Sequence, residues 1–292
     1  MKYIISLILA CSLIVSCGTV KKIASNTNKK KVFLFAGQSN MDGRANGEQL
    51  SANDLKRLSQ IADRIHFYYN HQPVTPLQLT VPAKDIQEIY NLTQSFGPEL
   101  FFGIELAERY PNEEFIFIKR AIGGTSLYGC WNPYWSIEKA QLMKELEEPK
   151  LYDDLLDYIG QVLGNYKPNE YEIVGMLWVQ GETDSGVIKW GEKPANEYGY
   201  NLRNLIEKTR TDLTIPQMPF VMFQVGRGKV VEGMKQIAKN DNNAYLIPQS
   251  SDEESVDFYE QNPPPKGHYT AKSMKRIGIE FFKIYEAILD KK

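Results

Sequence analysis

Two hydrophobic patterns alternate along the chain. Short continuous runs of β-branched and aromatic residues are typical of strands buried on both faces, and longer stretches with apolar residues three and four positions apart are typical of amphipathic helices. The runs that predict strands are 32–36, 65–69, 114–120, 172–180, 220–225 and 244–248. The stretches that predict helices lie near 52–63, 98–109, 151–164, 195–211, 229–239 and 270–289. This alternation predicts an α/β fold with a mostly parallel sheet covered by helices on both faces.

Two segments, 70–97 and 121–136, show neither pattern and are longer than ordinary loops, so they are candidate functional loops. With 292 residues, of which 42% are hydrophobic and 24% charged, the chain has apolar material for one large core. Residues 31–292 are therefore predicted to form a single domain. The formal net charge of -2 and the dispersed Lys and Arg residues argue against a nucleic-acid partner.

The chain begins with a short basic start and an apolar stretch that is too short to span a bilayer comfortably, which is the layout of a secretory signal. The run "IVSC" ending at Cys17 resembles a bacterial lipobox, in which the cysteine is lipidated and becomes the mature N-terminus. Residues 1–16 are then the signal peptide and 17–30 a polar tether. We expect a lipid-anchored protein on the periplasmic or surface side of the bacterial cell envelope. The alternative is an ordinary signal peptide or membrane anchor with a chance cysteine.

The chain contains three cysteines, Cys11, Cys17 and Cys130. Cys11 is removed with the predicted signal, so Cys130 has no partner within the mature chain, and the sequence excludes a disulfide framework. No Cys/His cluster has the spacing of a zinc site, so no metal or other cofactor is predicted.

Polar residues follow the first predicted strand at the point where a core strand ends. The segment "GQSNMDG" places Ser39 at a tight turn between a strand and a helix, where its hydroxyl is presented at the sheet edge and helix N–H groups can stabilise a negative charge. Ser39 is therefore a candidate nucleophile. Taken alone, it is equally well explained as a helix N-cap, because serine is a favoured capping residue.

Two further strand ends carry candidate functional residues. The paired glycines Gly123 and Gly124 let the backbone approach a ligand closely, although a simple turn explains them as well. Gln180, Glu182 and Asp184 follow the apolar run 172–180, where unpaired polar groups are costly; solvated loop carboxylates are the alternative. In a parallel α/β sheet ligands bind beyond the carboxyl ends of the strands, so these groups are expected on the same side as Ser39.

Three histidines are available as a general base. His66 lies within a predicted strand and His71 in a loop, and both are expected to be structural or surface residues. His268 follows a proline-rich loop and precedes the last predicted helix, which makes it the best candidate for the base.

Five segments occur together in an order and spacing that identify a family: "FAGQSNMDGR", "FGPELFFGIEL", "AIGGTSL", "WVQGETD" and "GHYTAKSMKRIG". The chain resembles the SGNH/GDSL-like hydrolases, specifically the group of sialate O-acetylesterases and acetyl xylan esterases, over about residues 31–289. The resemblance implies a flavodoxin-like three-layer α/β/α fold. It also implies a serine esterase that removes acetyl groups from carbohydrates without a metal.

The resemblance assigns roles to individual residues. It implies that Ser39 is the nucleophile and that His268 takes its proton and returns it to the leaving sugar oxygen. The oxyanion is then held by the Ser39 N–H, by the N–H of one glycine of the pair, for which Gly124 is preferred to Gly123, and by the Gln180 side-chain amide.

One position departs from the family pattern. Many relatives carry an aspartate three residues before the histidine to orient the imidazole, but this chain has Pro265 there. Glu182 of the "QGE" segment is the first candidate for the missing acid. Further candidates are the acids Asp184, Asp252, Glu253, Glu254, Asp257 and Glu260. A backbone carbonyl of the 263–267 loop is another alternative, in which case the enzyme is a Ser–His dyad.

The proline also motivates a second hypothesis, a non-catalytic carbohydrate-binding relative. A third hypothesis, hydrolysis of lipid or long acyl esters, agrees less well with the aromatic residues of the 121–136 loop, which are suited to stacking on sugar rings or to packing within the loop. These residues are Tyr128, Trp131, Tyr134 and Trp135. Acetylated xylan, pectin, sialic acid and peptidoglycan sugars all agree with the motifs.

Overall fold

The computed structural model describes residues 29–264 and 267–291. The predicted signal peptide, almost all of the predicted tether, Cys17 and Pro265 lie outside the described residues. The strands are β1 (Lys30–Gly37), β2 (Ala45–Asn46), β3 (Ile65–Tyr69), β4 (Thr75–Pro76), β5 (Ser95–Phe96), β6 (Phe115–Ala121), β7 (Tyr171–Val179), β8 (Phe220–Phe223) and β9 (Ala244–Ile247). All six strands predicted from the apolar runs are present.

The helices lie between these strands, and the six predicted helices are all among them. They are α1 (Ser39–Asp42), α2 (Ala52–Ile61), α3 (Lys84–Tyr90), α4 (Glu99–Arg109), α5 (Ile137–Met143), α6 (Leu151–Leu163), α7 (Val187–Trp190), α8 (Lys193–Asp212), α9 (Lys229–Asn240) and α10 (Ala271–Leu289), with single 3₁₀ turns at Gly47–Gln49 and Ala62–Arg64. Within the described residues, no helix has both the length and the apolar character needed to cross a membrane.

Seven strands form one sheet in the order β4-β3-β6-β1-β7-β8-β9. All neighbours are parallel except β4, which pairs antiparallel with β3 at one edge, and β2 and β5 form a separate antiparallel ribbon. The predicted α/β class with a mostly parallel central sheet is confirmed. Strand β1 lies in the middle, so the turn that follows it opens at the centre of the sheet's carboxyl edge.

Helices cover both faces of the sheet. On one face Phe33 of β1 packs edge-on against Phe102 of α4 and Tyr285 of α10, with ring centroids 4.9 and 5.2 Å apart. On the other face Trp178 of β7 lies against α8, where its Nε1 is 3.4 Å from the hydroxyl of Tyr198. The predicted three-layer arrangement is therefore present, and the strand between the layers is rigidly held.

Gly37 ends β1 where that strand passes very close to β7. A Cβ atom at this position would lie 2.1 Å from the carbonyl oxygen of Val179, and the residue has a φ of +152°. Glycine is therefore required here, because any side chain would push apart the two strands that support the following turn.

The short helix α1 lies over a buried ion pair. The ammonium of Lys119 lies 2.8 Å from a carboxylate oxygen of Glu99, and both side chains are fully buried. Lys119 also donates to the carbonyl oxygen of Asp42, the last residue of α1, at 3.0 Å. The ion pair thus fixes the carboxyl end of the helix that begins with Ser39.

The 70–97 segment, expected to be an irregular loop, contains helix α3. None of the residues of α3 is buried. A helix without a buried apolar face leaves no hydrophobic periodicity in the sequence, which is why the pattern did not reveal it.

Candidate active site

Ser39 lies at the first turn after the central strand. The carbonyl oxygen of Gln38 accepts hydrogen bonds from the amides of Met41 and Asp42 at 2.8 and 2.7 Å, so the chain bends into α1 directly after β1. The Ser39 side chain is 9% exposed, and the residue lines the largest cleft of the described chain. The hydroxyl is therefore held at the end of a rigid strand but accessible from the cleft.

His268 lies opposite Ser39, on the segment that leads into α10. Its Nε2 atom is 2.9 Å from the Ser39 Oγ atom. His66 and His71 are elsewhere and face acidic residues, with nitrogens 3.6 Å from Glu114 and 3.1 Å from Asp154. Of the three histidines, His268 is thus the one that the structure brings to the serine.

The cleft above these two residues has a volume of about 1260 Å³. One wall is formed by the 72–90 segment and the other by the glycine pair after β6. Tyr90, the last residue of α3, packs edge-on against the His268 ring at a centroid distance of 5.0 Å. The 70–97 segment, predicted to be functional, therefore forms a wall of the cleft and contacts the candidate base.

The glycine pair lies beside the serine. A Cβ atom at Gly123 would be 3.5 Å from the Ser39 Cβ atom, whereas Gly124 has a φ of +80° and open space around it. Within residues 29–264 and 267–291 the amides of Ser39 and Gly124 have no hydrogen-bond acceptor. These two N–H groups are thus available to a ligand in the cleft.

Gln180 lies behind the serine turn and is fully buried. Its side-chain nitrogen is 2.6 Å from Asp184 Oδ2, 3.2 Å from the Thr125 carbonyl oxygen and 3.3 Å from Gln38 Oε1. Protein acceptors therefore surround both of its N–H groups. The role of Gln180 as an oxyanion donor stays a prediction.

Asp184 joins the QGE segment to the glycine loop. Its two carboxylate oxygens accept the backbone N–H groups of Leu127 and Tyr128 at 2.9 and 2.8 Å. Burial raises the pKa of Asp184 to about 7, while the hydrogen bond from Gln180 and those from the loop amides oppose the shift. Because the carboxylate is engaged in this way, Asp184 serves the loop.

A second carboxylate holds the same loop from the other side. Glu145 accepts the amides of Ser126 and Cys130 at 2.7 and 2.9 Å and the Ser126 hydroxyl at 2.8 Å. Burial raises the pKa of Glu145 and also that of the Cys130 thiol. The glycine pair is thus carried by a loop with two acidic anchors, Asp184 and Glu145.

The aromatic residues of this loop differ from the expectation. Trp131 is fully buried against Trp178 at a ring distance of 5.2 Å, and Tyr128 is 2% exposed. Tyr134 is 57% exposed, and neither it nor Trp135 is among the described residues that line the cleft. The prediction that these four residues stack on sugars in the cleft is wrong for the buried pair, because the acidic anchors pull the loop into the core.

Glu182 lies next to the serine turn. Its Oε1 atom accepts a hydrogen bond from the side-chain nitrogen of Asn40 at 2.7 Å, and its Oε2 atom is shielded from solvent. Burial raises the pKa of Glu182, and the Asn40 hydrogen bond opposes the shift. The alternative acids from Asp252 to Glu260 do not line the cleft in the part of the chain that the structure describes. The orienting role of Glu182 stays a prediction.

Arg44 and Asn40 are site residues to which the sequence analysis gave no role, although both lie in the quoted segment "GQSNMDGR". Arg44 is 7% exposed and forms an ion pair with Asp42. Its second terminal nitrogen would lie 3.1 Å from a Cβ atom at Gly123, so the guanidinium borders the cleft beside the glycine pair. No three His, Cys, Asp or Glu side chains of the described residues converge as metal ligands.

The sequence matches one family model over residues 29–287, nearly the whole chain: the carbohydrate esterases described as sialic acid-specific acetylesterases. The chain belongs to this family. Membership in this carbohydrate esterase family makes the protein a hydrolase of the carbohydrate acetylesterase type. No curated protein matches the chain.

Solved structures with similar folds share little sequence with this esterase. A protein from Arabidopsis thaliana is 18% identical with a TM-score of 0.62, and the match covers 89% of this chain and 98% of that chain. NanS is 14% identical with a TM-score of 0.63, covering 91% and 99%. XAC1771, a carbohydrate acetylesterase from Xanthomonas citri, is 15% identical with a TM-score of 0.53, covering 86% of this chain and 55% of that chain. At these identities the likeness concerns the fold.

Proposed function

We propose that the protein is a serine esterase that removes O-acetyl groups from carbohydrates through a covalent acetyl-enzyme. The observation that carries the proposal is the 2.9 Å distance between His268 Nε2 and Ser39 Oγ at the bottom of an open cleft. A histidine nitrogen at this distance can accept the hydroxyl proton as the oxygen attacks. Family membership supports an acetylated carbohydrate as the substrate.

In the first half of the reaction, Ser39 Oγ attacks the acetyl carbonyl carbon and His268 Nε2 takes the hydroxyl proton. The carbonyl oxygen becomes an oxyanion. When the tetrahedral intermediate collapses, the bond to the sugar oxygen breaks, and the imidazolium returns the proton to that oxygen. The products are the free sugar hydroxyl and acetyl-Ser39.

In the second half, His268 accepts a proton from a water molecule that attacks the acetyl carbon. Collapse of the second intermediate releases acetate and restores the Ser39 hydroxyl with the proton held by His268. The unengaged amides of Ser39 and Gly124 support a role for both as oxyanion donors in the two intermediates. Gln180 is the third proposed donor and Glu182 the proposed acid of the site.

The size of the cleft favours a substrate with more than one sugar ring. Its volume of about 1260 Å³ is above the roughly 300–1,000 Å³ of ordinary small-molecule pockets. A cleft that stays open on one side also accommodates a chain that continues beyond the acetylated residue. We therefore propose acetylated oligosaccharides or polysaccharides as the substrates.

We also propose that Cys17 carries a lipid that anchors the enzyme in the bacterial cell envelope, on the basis of the lipobox-like run that ends at this residue. The full chain is then expected to partition into detergent, and Cys17→Ala to release it or to block its processing. Recovery of the unmodified wild-type protein in the soluble fraction would contradict the anchor.

The esterase proposal is tested with a small activated acetyl ester and with a panel of acetylated glycans. Wild-type protein is expected to release acetate and Ser39→Ala to release none, while Ser59→Ala, which changes an exposed serine of α2, keeps full activity. Near-normal acetate release from Ser39→Ala would exclude the serine mechanism. Sugar binding without acetate release by the wild type would favour the non-catalytic alternative, and the most active glycan identifies the sugar.

A further inference from the structure

Asparagine side chains hold the backbone around His268 from two sides. The carbonyl oxygen of His268 accepts the backbone amide of Asn262 at 2.7 Å and the Asn262 side-chain nitrogen at 3.0 Å. On the other side, the amide of Tyr269 donates to the side-chain oxygen of Asn40 at 3.4 Å. The peptide group that follows the imidazole is therefore fixed at both its oxygen and its nitrogen.

Asn40 connects this peptide group to Glu182. Asn40 is 3% exposed, and its side-chain nitrogen donates to Glu182 Oε1 at 2.7 Å while its oxygen faces the Tyr269 amide. A backbone N–H can only donate and a carboxylate can only accept unless it is protonated, so the two neighbours fix which end of the Asn40 amide points where. Because Asn40 follows Ser39 directly, the same residue ties the nucleophile turn to the histidine segment.

We propose that Glu182 acts through Asn40 as a positioning residue, and that Asn40 and Asn262 hold the His268 backbone so that Nε2 stays within reach of Ser39. This inference rests on the proposed serine mechanism and goes beyond it. It explains how the base is placed in a chain that has Pro265 at the position of the usual aspartate. The Asn40, Asn262 and Glu182 side chains supply precision of a kind that catalysis requires of its supporting residues.

The chemistry of the Asn40–Glu182 hydrogen bond distinguishes this role from direct pairing with the imidazole. Asn40 needs only an oxygen acceptor, and a glutamine at position 182 offers one. Direct stabilisation of an imidazolium needs the negative charge, which glutamine lacks. Glu182→Gln is therefore expected to restore most of the activity that Glu182→Ala loses.

The experiment measures acetyl-ester turnover in the full-length protein and the rate at which a small phosphonate ester labels Ser39. The labelling reports activation of the serine and does not depend on sugar binding. Glu182→Ala and Asn40→Ala are each expected to lower kcat and the labelling rate by about 10²-fold, with KM nearly unchanged, as for a misplacement on the order of 1 Å. The double variant is expected to be no slower than either single variant, because both changes break one linkage.

Asn262→Ala tests the same role without touching Glu182, since it removes the side-chain bond to the His268 carbonyl and leaves the backbone bond. A smaller loss of kcat in the same direction is expected. Asn165→Ala, which removes a side-chain hydrogen bond to the backbone at the end of α6, is the matched control and should behave as wild type. Unfolding midpoints of all variants separate misplacement of the base from loss of the fold.

Two outcomes would overturn the positioning role. One is a loss in Glu182→Gln as large as that in Glu182→Ala, with the acid limb of the pH–rate profile moved to lower pH, because a carboxylate that pairs with the imidazolium holds its proton on. The other is an additive double variant. Failure of the phosphonate to label the wild-type protein at Ser39 would instead contradict the serine mechanism itself.

Discussion

The Nε2 atom of His268 lies 2.9 Å from the Oγ atom of Ser39, although 229 positions separate the two residues in the chain. If they act as one unit, removing either one removes most of the benefit of the other. His268→Ala is expected to lower turnover by about 10²–10⁴-fold, and the Ser39→Ala/His268→Ala variant to be no slower than Ser39→Ala. His71→Ala is the control, because His71 lies on the surface beside Asp154. Equal losses in the two histidine variants would contradict the assignment of the base.

Gln180→Ala tests the oxyanion hole. If the Gln180 amide turns toward the substrate and donates to the oxyanion, the variant is expected to lose about 10²–10³-fold in kcat with little change in KM. If the amide only supports Asp184 and Thr125, to which it donates in the structure, Asp184→Asn is expected to reproduce the loss. A normal kcat in Gln180→Ala would remove Gln180 from the mechanism.

Asp184 predicts a pH dependence of stability. Its pKa lies at about 7 in the folded chain against an ordinary value of 3.8, so between these values the folded state holds a proton that the unfolded state has lost. The protonated group stabilises the fold fully below about pH 4, and this contribution is lost as the pH rises through 7. The whole displacement corresponds to about 4 kcal/mol.

The measurement for Asp184 is urea unfolding of the wild type and Asp184→Asn from pH 4 to pH 8. The free energy of unfolding of the wild type, taken relative to the variant, is expected to fall across this range and to level off above pH 7. Glu145, whose pKa is also raised by burial, faces the same loop and titrates in both proteins. A difference that does not change with pH would show that Asp184 is already ionised in the fold.

Gly37→Ala is expected to destabilise the protein by about 1–3 kcal/mol and to lower turnover as well, because the added methyl group meets the Val179 carbonyl oxygen under the serine turn. Gly160→Ala is the matched control. Gly160 lies in α6 with open space around its Cα atom, so the same change is expected to stabilise by about 0.5–1 kcal/mol. Thermal unfolding measures both, and a harmless Gly37→Ala would disprove the close approach.

The sequence was sufficient to predict the sheet because its central strands are buried on both faces. Every residue of β6 is buried, and β1 is buried from Val32 onwards, so each strand is a continuous apolar run. The long helices were visible for the related reason that each buries one apolar stripe. Helix α3 buries nothing and left no such signal.

Parts of the site were predictable because the residues stand at strand ends, where parallel topology gathers them. The supporting contacts were not predictable, since Asn40 and Glu182 lie 142 positions apart and no local pattern pairs them. The burial of Trp131 was hidden for the same reason: it depends on the carboxylates of Glu145 and Asp184 that draw its loop inward. A single sequence shows which residue types are present but not which distant acceptor each donor finds.

The central place of β1 has a consequence for the biosynthesis of the enzyme. This strand pairs with β6 and β7, which are made much later, and the segment with His268 comes later still. Sheets built from such distant pairings fold slowly. A nascent chain that has emerged only as far as β9 already contains Ser39, Gly124 and Glu182 but no base. The serine therefore gains its partner only in the last stage of synthesis, and a nascent chain is chemically inert toward acetyl esters until it is almost complete.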